Sequence, residues 1–133
     1  MIAVTKNDKI TRNVLFALGL GLVAIGIAYI FFPLQILSFT GGYHLDSSAL
    51  TDLKATYGGL QIGLGIYVLF ALRQGEYSAC LRLIWMIFAA VGSLRLISYL
   101  MYNDVILVHL LAGIAELGCS GLLLLLSKKA DRS

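Results

Sequence analysis

Residues Val14 to Phe32 read VLFALGLGLVAIGIAYIFF, a run of 19 positions without a charge. An α-helix needs about 20 consecutive apolar residues to cross a hydrocarbon core of roughly 30 Å. The run is long enough to cross, and longer than the apolar stretch of a typical secretory signal. Its closing residues, Ile30-Phe31-Phe32-Pro33, are bulky where signal cleavage needs small side chains. The segment therefore reads as a retained span. Pro33 is expected to end it, because proline lacks the donor for the next backbone hydrogen bond.

Three further apolar runs follow, and helices are expected over about 14–32, 49–72, 81–102 and 105–126. Leu34 to Ser48 is the longest expected loop, with Leu34 to Phe39 apolar enough to lie in the membrane interface. Thr40-Gly41-Gly42-Tyr43 reads as a turn, and Asp46, Ser47 and Ser48 are candidate N-caps. Arg73-Gln74-Gly75-Glu76 is a short polar turn. Asn103-Asp104 is a tight connection, which makes the third and fourth helices antiparallel neighbours. The tail from Lys128 is polar and expected to fray. Composition agrees: 59% of the 133 residues are hydrophobic and 13% charged, against about 25% charged in soluble domains. A soluble domain of this size could not hide so much apolar surface. The expected fold is all-α, an integral membrane four-helix bundle forming one domain over 1–133.

Charge gives the orientation. Eight of the ten basic residues (Lys6, Lys9, Arg12, Arg73, Arg82, Lys128, Lys129 and Arg132) fall on the side of the termini. The opposite loops hold Lys54 against Asp46, Asp52 and Asp104. The positive-inside rule then places both termini of this multi-pass chain in the cytoplasm. The net charge of +3 does not indicate nucleic-acid binding, since no basic stripe with interleaved aromatics exists. Cys80 and Cys119 have neither CxxC nor zinc spacing and read as free thiols, and no metal or cofactor is expected.

Polar residues inside the spans are the functional candidates. The second helix carries Tyr57-Gly58-Gly59-Leu60-Gln61-Ile62-Gly63-Leu64-Gly65. Gly59 and Gly63 form a GxxxG pair, and Gly58, Gln61 and Gly65 share a face with Lys54. These glycines read as a packing seam, within one chain or between two copies in a homo-oligomer. The alternative is a groove with room for a ligand beside Tyr57 and Gln61. The fourth helix places His109, Gly113, Glu116 and Ser120 on one face, with Glu116 roughly 16 Å deep at 1.5 Å per residue. Arg95, in the third helix, falls between the levels of His109 and Glu116. A central Arg costs about 2.5–3.5 kcal/mol. The ten Leu, Ile, Phe and Val residues from Leu81 to Leu100 return roughly 3–6 kcal/mol. The terms nearly balance, so the third helix needs a partner for Arg95. One polar cluster is expected: Tyr57, Gln61, Arg95, His109 and Glu116. It is either an ion pair that fixes helix register or a ligand site.

The stretch Asp52-x-Lys54-x-x-Tyr57-Gly58-Gly59-x-x-x-Gly63-x-Gly65, with Pro33, Arg95 before Leu96 and Glu116 before Leu117, resembles an uncharacterised bacterial family of four-helix membrane proteins. That family is a domain of unknown function, and the resemblance covers nearly the whole chain. Asp52 and Lys54 stand where Glu and Arg are commoner in the family. The resemblance implies the fold and an inner-membrane location, and no activity.

Three functions compete. A non-catalytic protein of cell-envelope maintenance would bind a lipid or small amphiphile, or dock on a membrane partner, at the polar cluster. A small proton-coupled transporter or efflux subunit would use Glu116; unaltered pH-dependent flux in a Glu116→Gln protein excludes it. A membrane enzyme would use His109 and Glu116 as acid and base, but their separation of about 10 Å along the helix is too great for a direct dyad. No catalytic residue is assigned.

Overall fold

The computed structural model describes residues 6–40, 45–102 and 107–130, and all of its secondary structure is helical. Helix α1 spans Lys6–Phe31, α2 Pro33–Thr40 and α3 Ser47–Leu53. A π-helical turn, Lys54–Gly59, leads from α3 into α4, Leu60–Gln74. Helices α5, Tyr77–Met101, and α6, Leu107–Ala130, complete the chain. The expected Thr40–Tyr43 turn, the Asn103–Asp104 connection and the tail beyond Ala130 lie largely or wholly outside the described residues.

Four segments are long and apolar enough to cross a membrane: Lys9–Phe31, Ser47–Gln74, Tyr77–Met101 and Leu107–Lys129. They overrun the apolar runs because polar residues can continue a helix that apolar ones began. Helix α1 starts eight residues before Val14. Asp46 is the N-cap of α3, accepting a hydrogen bond from the Ala49 backbone N–H at 2.8 Å. Gly75, at φ 79°, closes α4 in the left-handed conformation that glycine adopts without a Cβ penalty.

Pro33 does not lead into a loop, as the sequence suggested. It opens α2, and Phe32 and Ile36 keep the hydrogen bonds to Ala28 and Phe32 carbonyls. Proline is well suited to a first helical position, where its missing donor has no intrahelical acceptor. The apolar stretch Leu34 to Phe39 is therefore helical.

The chain divides into two compact units, Arg12–Gly75 and a second made of residues 1–11 with 76–133. Within the first, α1 and α4 run antiparallel along a glycine seam. A Cβ at Gly65 would lie 2.6 Å from the Gly19 carbonyl oxygen, and one at Gly26 would lie 2.7 Å from that of Gly58. Only glycine permits backbones this close. Gly59 and Gly63 take no part in this approach: no described residue comes within 4 Å of a Cβ built at either. The approach uses Gly58 and Gly65 instead, which lie two turns apart and line up with Ile62 facing α1. Within the second unit, α5 and α6 pack as an antiparallel pair. A Cβ at Gly92 would meet the Gly113 carbonyl oxygen at 3.0 Å.

Candidate functional site

The α5–α6 seam carries the polar face of α6. Gly113 lets the backbones close: a Cβ built there would lie 3.3 Å from the Arg95 Cβ. One turn to either side, His109 and Glu116 reach the same guanidinium. Arg95 Nε donates to Glu116 Oε1 at 3.1 Å, and Nη1 lies 3.0 Å from His109 Nδ1. A guanidinium only donates, so Nδ1 accepts and the ring proton sits on Nε2. Further along, the Ser120 hydroxyl donates to the Trp85 carbonyl at 2.9 Å. All four residues of the expected α6 face thus contact α5.

Glu116 Oε2 is 3.0 Å from Nε, at ion-pair distance, yet it is buried without a hydrogen bond. The two observations are compatible: the single Nε–H points at Oε1, and Oε2 feels the charge without the correct angle. The side chain of Arg95 keeps 31% of its surface exposed, against 18% for Glu116. The carboxylate is the sheltered partner. Among the described residues Glu116 and His109 take two of the guanidinium's five N–H donors, which leaves both on Nη2 and one on Nη1.

Tyr57 and Gln61 belong to the other unit. Tyr57 lies in the π-helical turn and stacks on Tyr29, with ring centroids 5.4 Å apart and planes at 28°. Gln61, one turn further on, has its Oε1 buried without a hydrogen-bond partner. Of the five expected site residues, Arg95, His109 and Glu116 are joined within one unit, and Tyr57 and Gln61 lie in the other. Sequence reasoning missed Tyr29 and Trp85. Tyr29 is the one tyrosine in the apolar run from Val14 to Phe32, and that lone phenol was the available signal. Trp85 contributes a main-chain carbonyl, for which a sequence carries no signal.

Among the described residues no three His, Cys, Asp or Glu side chains gather in a way that could hold a metal ion. A family model described as a domain of unknown function, DUF4345, matches residues 10–127. The chain belongs to the DUF4345 family. No curated protein and no solved structure matches it. In this DUF4345 chain the matched region takes in all four apolar spans almost completely, with all the expected site residues inside it.

Proposed function

We propose that this DUF4345 chain is a multi-pass protein of a bacterial inner membrane, with both termini cytoplasmic. In this reading it binds the head of a lipid or small amphiphile at Arg95, in maintenance of the cell envelope, and catalyses no reaction. The observation that carries the reading is the partly exposed Arg95 side chain, fixed by Glu116 and His109 with donors to spare among the described residues. An unpaired donor facing hydrocarbon is costly, so an acceptor-bearing head group stabilises it more than an acyl chain does. Pre-orientation by two protein partners lowers the ordering cost of binding. Glu116, midway along α6, also supports a second reading, a proton-coupled transporter subunit.

Native mass spectrometry of the full chain released from phospholipid nanodiscs tests the first reading. Lipid is expected to stay on the parent protein, with occupancy reduced about ten-fold or more in Arg95→Ala, since hydrogen bonds to a charged group are worth about 1.5–3 kcal/mol. Arg95→Lys keeps the charge but not the fork, and should retain less than the parent. Equal lipid retention by all three proteins, or none by the parent, overturns the reading.

A further inference from the structure

At the end of the α1–α4 pair remote from Gly26 and Gly58, the glycine seam gives way to large side chains. Phe16 on α1 and Leu69 and Leu72 on α4 line a groove of about 410 Å³, completed by Arg12, Asn13 and Arg73. The size lies within the range of about 300–1,000 Å³ typical of small-molecule sites. Three of its lining side chains are apolar and two are cationic. The register explains the pairing. Gly19 faces Val68 and Leu69, so the two turns before Gly19 on α1 and the turn after Leu69 on α4 fall at one level. Arg12 stands four residues before Phe16, and Arg73 four after Leu69, so each arginine lies directly beyond an apolar wall residue.

Both arginines are exposed, and neither side chain makes a hydrogen bond or ion pair to a described residue. Two guanidiniums and an amide that line one groove with three apolar side chains are complementary to an anion carrying hydrocarbon. Basic pockets between membrane helices take anionic lipid heads in this way. An arginine fork matches phosphate oxygens better than a lysine ammonium does. Both residues sit where an α-helical span meets its head-group layer, near the start of the Lys9–Phe31 segment and the end of Ser47–Gln74.

We infer that this groove is a binding site for an anionic glycerophospholipid, its phosphate held by Arg12, Asn13 and Arg73 and its first acyl carbons laid on Phe16, Leu69 and Leu72. The inference requires the chain to be embedded in a membrane but not the Arg95 reading, since the residues are different. It also gives Arg12 and Arg73 a role beyond orientation: bulk positive charge attracts anionic lipid anywhere, whereas this geometry selects one position.

The test uses the full chain with Trp85→Phe and Leu20→Trp, which puts one indole a turn below Phe16 without lining the groove. Quenching is read in vesicles of dibrominated phosphatidylglycerol or dibrominated phosphatidylcholine mixed with the unbrominated lipids. The expected result is a preference of roughly five-fold or more for phosphatidylglycerol. It should vanish in Arg12→Gln/Arg73→Gln and persist in Lys128→Gln/Lys129→Gln, which removes the same charge elsewhere. Arg12→Lys/Arg73→Lys should keep part of it. Arg95→Gln should leave it unchanged, which separates this site from the one proposed above. No preference in the parent, or equal loss on removing either basic pair, overturns the inference. So does abolition of the preference by millimolar inorganic phosphate, which would assign the groove to the free anion.

Discussion

Two opposing terms meet at Arg95. An unpartnered arginine within a span costs about 2.5–3.5 kcal/mol on insertion scales, and its bonds to Glu116 and His109 offset that cost. Removing one partner of a fully buried pair costs about 3–5 kcal/mol. With Arg95 31% exposed, each of Arg95→Met and Glu116→Leu should destabilise by a smaller amount, roughly 1–3 kcal/mol. The double variant should cost less than the sum, because neither charge is then stranded. Unfolding in mixed detergent micelles measures the cycle, and strict additivity would show that the pair is not coupled. This pair was legible in the sequence for a simple reason. Helical periodicity put His109 and Glu116 on one face, and a short connection fixed the depth of Arg95 between them. Tyr57 and Gln61 entered the same expected cluster on depth alone. Depth does not determine azimuth, and within its own unit Tyr57 stacks on Tyr29.

The helices show which other features a sequence conceals. Apolar runs measure the thickness of the membrane, not the length of the helix, so α1 begins at Lys6 and α6 continues to Ala130. Pro33 reads as a stop, yet it works equally well as a start, and only its neighbours' hydrogen bonds decide. Glycine spacing is similarly ambiguous. The second span offers a GxxxG pair and a pair seven apart, and the π-helical turn before Leu60 alters the angular phase between them. The structure uses Gly58 and Gly65. Gly65→Ala should therefore force α1 and α4 apart, because its Cβ would lie 2.6 Å from the Gly19 oxygen, at a cost of about 1–3 kcal/mol. Gly63→Ala, with open space around it, should be neutral within roughly 0.5 kcal/mol. Thermal melting of the two variants in one detergent separates them. Equal effects would contradict the seam.

At the scale of the whole molecule, many large apolar side chains of the described residues are exposed. Leu100 is 82% exposed, Phe39 77% and Phe31 71%, and fully buried apolar side chains are few. In water so much contiguous apolar surface would aggregate; in hydrocarbon it is the ordinary exterior. Span number was legible from length and composition, because the bilayer imposes a minimum run that few soluble segments reach. The same charges that imply orientation also include Arg12 and Arg73, and their second role became visible only when α1 and α4 were brought side by side. Both proposed ligand sites stand on the proposal that the chain is embedded with its termini cytoplasmic, a reading that rests on the basic residues. The direct measurement is labelling of single cysteines in intact cells by a membrane-impermeant maleimide, in a Cys80→Ala/Cys119→Ala background. Ser47→Cys, ahead of the second span, should label in intact cells, and Ser133→Cys only after permeabilisation. Labelling of Ser133→Cys in intact cells, or protection of Ser47→Cys there, would contradict the account.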